Sequence, residues 1–384
     1  MFRKSVSQMF VKRSRLFMLM QSKQLGAKTL ASVAVVLSLT VVASGHDARA
    51  AEPDETVFAS QAVEAVYQPG FQQFLQASEQ FVADAERACQ SPSSGSLAEL
   101  RDGFAATVVA FSAVELYRIG PMLEDNRQNR LFYWPDKRRV GERQLRELLA
   151  DATAPTLTAA DVAGKSVALQ GLPTLERLLY SKNSEQHLGA VSDTPDCQVV
   201  VAIVDNIHNM ALALNEGWQA ESALVKSMLL PEPNSDYFRT GDEVLRSLVT
   251  QIIVAVDIVL DRKIAALTDE ESQLRLAPLW RSGQTLSMIR ANLDSVRALS
   301  VDTGLAGVGE LDNELAFEFR SADKMLQKLQ DLPSLSTDQG KLTEPAESLL
   351  RSLSAVVGGI KYTLNDRFTA ALGITAGFNS EDGD

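Results

Sequence analysis

The most suggestive carboxylate in the sequence is Glu176, in Gly171-Leu-Pro-Thr-Leu-Glu176. Pro173 suits the first turn of a helix, where its missing N–H is not needed. A helix start offers free backbone N–H groups that favour an anion, whereas the carboxylate favours a cation or an arginine. The helix is otherwise lined by Leu172, Leu175, Leu178 and Leu179. Glu176 therefore has three readings: a first-turn acid that suits the helix dipole, a buried ion pair with an arginine such as Arg118 or Arg139, or a contact to a ligand or metal. The segment 121–136 reads as a long loop that ends in Trp134, Pro135 and Asp136, groups that stack or hydrogen-bond, and such loops are often functional. Trp280 and Arg281 add an aromatic group and a cation. Trp134 and Trp280 either line a cleft between helical bundles or fill core. The tentative ligand set is thus Gly171, Pro173, Glu176, Trp134, Asp136, Arg139, Trp280 and Arg281, with Glu176 the candidate metal contact.

Other chemistry is thin. The sequence holds no HExxH, GxSxG or P-loop pattern, and no catalytic residue can be named. Of three histidines, His46 lies near the N-terminus, His187 in a polar segment and His208 beside an apolar stripe, where a satisfied core histidine is expected. A zinc enzyme built on two or three histidines is hard to assemble from these. Cys89 and Cys197 are the two cysteines and no CxxC occurs. They read as one disulfide in an exported chain or as two buried thiols. Glu115 continues the inward stripe Leu97, Leu100, Phe104, Val108, Phe111, and packing or pairing explains it before chemistry does.

Almost everything after residue 56 follows the 3.6-residue period, so the fold class is all-α. Helices are expected over 57–89 (kinked or broken at Pro69-Gly70), from a capping box Ser96-Leu-Ala-Glu99 to Gly120-Pro121, over 137–150, from Leu172, and over 197–218. After a Pro- and Asn-containing stretch at 228–240 come 241–267, 279–299, 305–331 and 344–372. Four long helices per half predict two helical-bundle domains, residues 51–235 and 236–384.

The first 28 residues carry seven bases and no acid, followed by an apolar stretch over 30–43 and Ala48-Arg49-Ala50. This is the order of a signal peptide, 1–50, with cleavage after Ala50. The apolar run is shorter than the ~20 residues of a spanning helix, and none further on is long enough. The net charge is −12, and the first fifty residues contribute eight bases and one acid, so the remainder stands at −19. That balance argues against nucleic acid, which requires local Lys/Arg density, and against docking on anionic lipid.

Several stretches together resemble the imelysin-like family of iron-regulated envelope proteins: Gly171–Tyr180, Tyr117-Arg-Ile-Gly-Pro121, Arg130–Asp136, Gly141-Glu-Arg-Gln144, Trp280-Arg-Ser-Gly283 and the C-terminal Leu372–Asp384. The resemblance covers nearly the whole chain after residue 50. It implies an all-α protein of two helical bundles and an association with iron uptake or iron-regulated expression. Together with the signal peptide, which directs the chain to the periplasm, this gives the expectation of a binding or accessory protein for a metal ion or iron chelate, with an outer-membrane or periplasmic transport partner. The family carries an old peptidase label, so a peptidase is the first alternative and a structural adaptor for an outer-membrane protein the second. The family motif Gly-x-His-x-x-Glu falls on Gly171, Pro173 and Glu176, with proline where the histidine belongs. In the full motif the histidine and glutamate share a helix face, a spacing that could grip one cation. Here only the carboxylate remains, and a metallopeptidase loses a ligand and a base together.

Overall fold

The computed structural model describes residues 55–150, 157–192, 194–268, 274–337 and 341–374. The signal-peptide expectation and most of the C-terminal stretch 372–384 lie outside them. The regular elements of the described residues are all helices, with an isolated bridge between Ser336 and Leu342 as the only strand-like pairing among them.

The chain enters as α1 (Glu55–Gln61), passes through a π-helical turn (Ala62–Tyr67) and continues as α2 (Gln68–Gln90). The expected break at Pro69 is absorbed by that turn: Gln68 N–H reaches five residues back to Val63 O just before the residue that has no N–H to give. The next helix, α3 (Ser94–Ser112), starts three residues before the predicted box. Ser93 is the cap, and it exchanges hydrogen bonds with Ser96. α3 also stops short of Gly120, breaking into turns over 113–116.

Segment 121–136 is not the irregular loop expected. It contains short 3₁₀ turns and α4 (Arg127–Leu131), made possible by left-handed conformations at Asp125 and Asn126, residue types that tolerate them. α5 (Val140–Ala150) and the one-turn α6 (Ala159–Ala163) lead to α7 (Leu172–Leu179) and α8 (Ser184–His187). Next come α9 (Pro195–Gly217) and α10 (Ala223–Leu229). The later chain contributes α11 (Gly241–Asp257), which runs through a π-turn (Ile258–Ile264) into α12 (Ala265–Thr268), then α13 (Thr285–Arg297) and α14 (Asp312–Gln330). α15 (Glu344–Tyr362) runs through another π-turn (Thr363–Phe368) into α16 (Thr369–Ala371).

α2 packs against both α3 and α9. Its Phe71, Phe74 and Phe81 are fully buried, meeting Phe104, Phe111 and Trp218. Each such ring contributes about 1.5–3 kcal/mol by leaving water. By length and composition α9 is apolar enough to cross a membrane, contrary to the sequence expectation, but its apolar residues are spent on this core. In the later half, α14 packs on α15 and on α13. Contacts also join the two halves: α1 lies on α11, and α13 lies on α3.

Cys89, at the end of α2, and Cys197, in the first turn of α9, form a disulfide with Cα atoms 5.6 Å apart. It bridges 108 positions of sequence. A loop of that size restricts the unfolded chain by on the order of 4–5 kcal/mol in the chain-entropy description. Reduction is therefore expected to lower the melting temperature markedly, and thiol titration of the denatured, unreduced protein should find no free thiol. Two thiols per chain would contradict the bridge.

Candidate functional site

Gly171 caps α7 in an extended conformation. A Cβ there would come within 2.1 Å of Leu131 O and 2.4 Å of Arg130 O, so the close approach of these two backbones requires glycine. Pro173 occupies the first turn, and Thr174 Oγ1 donates to Ala168 O at 2.9 Å. These contacts fix the start of a helix whose next turn carries Glu176, only 3% exposed.

Neither Arg118 nor Arg139 answers that carboxylate. Oε1 accepts hydrogen bonds from Ser282 N at 2.9 Å and Ser282 Oγ at 3.0 Å, and Oε2 lies 3.8 Å from Arg281 Nη1. Burial pushes the Glu176 carboxyl above its ordinary range, opposed by the Ser282 donors and the Arg281 charge. Arg139 instead turns outward in a left-handed conformation and holds Glu142 with two hydrogen bonds.

The other predicted residues gather on either side of this contact. Arg281 stacks 4.5 Å from the centre of the half-buried Trp280 ring. Trp134, also half-buried and followed by a cis bond to Pro135, donates from Nε1 to Leu276 O at 3.2 Å. Asp136 caps α5 by accepting from Val140 N and Gly141 N, at 2.7 and 2.9 Å. It also takes Arg177 Nη2 at 3.2 Å. Arg177 Nη1 donates to Pro173 O, while its buried Nε–H meets no hydrogen-bond acceptor among the described residues. The result is a seam in which α7 and the 127–140 segment face the 274–284 turn.

A second buried constellation escaped the sequence reading. Lys263, 2% exposed, forms an ion pair with Glu115 Oε1 and donates to Asn292 Oδ1 at 2.6 Å. Asn292 Nδ2 donates to Glu115 Oε1 at 2.8 Å and to Ser112 O at 2.6 Å. Burial draws the Lys263 amine below its ordinary range, and Glu115 opposes that shift. The sequence signal was present: Lys263 continues the stripe Ile252, Val256, Val259, Leu260 at helical spacing, a cation where an apolar residue belongs. Ser282, by contrast, carried no such signal.

The sequence profile of the imelysin family, which is also labelled Peptidase_M75, matches residues 67–356. The chain belongs to the imelysin family. Two solved structures share the fold. An imelysin-like protein from Psychrobacter arcticum 273-4 has a TM-score of 0.67 at 18% identity, covering 84% of this chain and 97% of the other. An iron-regulated protein A precursor from Parabacteroides distasonis ATCC 8503 has a TM-score of 0.64 at 13% identity, covering 82% and 97%. At such identities the likeness bears on fold alone. No curated protein sequence matches.

Among the described residues, the arrangements that come nearest to hydrolytic or metal-binding chemistry are each satisfied in another way. Ser78 Oγ lies 3.1 Å from His208 Nδ1 and 2.7 Å from Leu75 O; when the hydroxyl donates to that nearer carbonyl, the histidine is left to donate to the serine, the reverse of nucleophile activation. His187 pairs with Asp196. Among the described residues no three His, Cys, Asp or Glu side chains are placed to hold a metal ion. At Glu176 a cation would meet the like charge of Arg281, and Pro173 offers no ligand, so the seam does not fit iron or zinc as a resident ion.

The raised pKa of Glu176 means that the protonated form suits the fold: the stability this shift contributes is present below the unfolded carboxylate range and is lost as pH rises through the raised folded value. Glu176→Gln, which keeps an acceptor for Ser282 without the charge, should therefore melt at or above wild type at neutral pH, with the difference vanishing on acidification. Glu176→Ala leaves the Ser282 N–H and Arg281 unanswered and should cost about 1–3 kcal/mol, read by denaturant melts. Purified protein with unfolded protein substrates and added zinc or iron should show no turnover. Turnover that a chelator removes and Glu176→Gln abolishes would establish the peptidase reading.

Proposed function

We propose that this imelysin is an exported, periplasmic accessory protein of iron uptake that binds a negatively charged iron chelate at the seam between residues 51–235 and 236–384. The observation that carries the reading is the pair of guanidinium groups there. Arg177 keeps a buried N–H without an acceptor, and Arg281, 30% exposed, lies over Trp280. An unanswered buried donor is costly, and a ligand oxygen relieves it. Stacked guanidinium suits a planar carboxylate. In a chelate the ion is already ligated, so the protein needs no metal ligands of its own.

Three further observations support the reading. A disulfide suits a compartment outside the cytoplasm, the N-terminal fifty residues have the order of a signal peptide, and a structural neighbour is described as iron-regulated.

Equilibrium titration of the purified protein with ferric citrate, and with citrate alone, tests the proposal. Saturable binding is expected, weakened about tenfold or more (~1.4 kcal/mol) in Arg281→Ala, measured at a temperature where the melting curve shows the variant fully folded. Absence of binding by the wild type, together with expression that ignores iron limitation, would overturn it.

A further inference from the structure

α13 is bonded to the earlier half of the chain at two levels. At its leading end the 279–284 turn presents Ser282 to Glu176. About two turns further on, Asn292 donates to Ser112 O and Glu115, and Ser295 Oγ donates to Ala113 O at 2.7 Å. Tyr117 Oη adds a bond of 3.4 Å to Ser295 O. The helix is thus stitched to the short turn after α3, and Lys263 closes the stitch from a third element.

Lys263 reaches this point from a π-helical turn that interrupts the run from α11 to α12. Its amine also lies 5.9 Å from the Phe132 ring centre. Phe132 contacts Trp134, with ring centres 6.5 Å apart, and Trp134 holds the carbonyl of Leu276. The buried amine therefore touches both routes to the seam: α13, which comes after Arg281 and Ser282, and the segment that carries Trp134.

Apolar side chains of similar volume would hold such a position at least as stably, since a buried ion pair seldom repays its loss of hydration. What an apolar cluster lacks is directionality. Leucine and methionine slide past one another, whereas Nζ, Oε1 and Oδ1 meet in one register. The groove of about 360 Å³ between α13 and α14 is a poorer candidate for a role. Its Arg290 and Arg297 already pair with Asp323 and Asp302, which leaves no net charge to select a ligand.

We propose that Glu115, Lys263 and Asn292 are positioning residues: an alignment pin that fixes the register of α13 and thereby sets Trp280, Arg281 and Ser282 against Glu176. The functional consequence rests on the seam being the ligand site; the alignment does not.

The test is hydrogen exchange at the Ser282 amide, whose bond to Glu176 reports the register without any ligand. In the full-length Glu115→Leu/Lys263→Met variant the melting temperature should hold or rise, while exchange at Ser282 accelerates tenfold or more and α2 and α9 amides are unchanged. Asn292→Ala, which keeps the ion pair, should accelerate Ser282 in the same direction. Unchanged Ser282 protection in either folded variant overturns the proposal, as does failure of both variants to fold, which would make the cluster a plain stability element. Ferric citrate titration of the same variants separates the two proposals. A wild type that binds none refutes the ligand site while the exchange result stands.

Discussion

A charged amine shut away from water has to be answered inside the chain, and Lys263 is answered by residues from two other parts of it, Glu115 and Asn292. That requirement links the turn after α3, the π-turn after α11 and the middle of α13. Once these meet, the remaining geometry has little freedom. α13 lies along α3, its leading turn lands on α7, and the carboxylate of Glu176 finds Ser282. The carboxylates of Glu115 and Glu176 are both buried, and a buried polar group without its partner is expensive.

The helical interruptions belong to the same logic. Among the described residues three π-turns fall inside continuous helical runs, at Ala62–Tyr67, Ile258–Ile264 and Thr363–Phe368, and a fourth, Ala298–Asp302, ends α13. One residue more per turn rotates the remainder of the helix by about 100° relative to an unbroken one, so each insertion re-aims a face. The first delivers Tyr67 to stack on Trp218 and reach Gln251. The second delivers Lys263. Places where the helical period shifts are common at functional positions, and here one of them holds the buried amine.

Much of this was legible in the sequence, for identifiable reasons. The long helices declare themselves by apolar spacing, and α7 by Gly171 and Pro173. The two cysteines, the only pair in the sequence, could bridge only to each other if the chain meets an oxidant. Glu115 stood out as a charge on an apolar stripe. What stayed hidden was the identity of partners distant in sequence. Glu176 is 106 residues from Ser282, and a serine in a turn carries no mark of its role. Arg118 and Arg139 were nearer in sequence, yet Arg139 is held outward by Glu142 and a left-handed backbone. Segment 121–136 looked irregular because its helical turns are entered through Asp125 and Asn126 at positive φ, a conformation that propensity does not announce.

The bridge between Cys89 and Cys197 makes a closed covalent circuit of everything between them. Trp134, Asp136, Gly171 and Glu176 all lie on that circuit, whereas Trp280 and Arg281 do not. One cut in the backbone anywhere from Cys89 to Cys197 opens the circuit without dividing the molecule, so both flanking pieces stay tethered and α7 stays beside its neighbours. When a protease nicks the chain, one wall of the seam is therefore protected against fragment loss by connectivity alone, and the other wall depends wholly on packing.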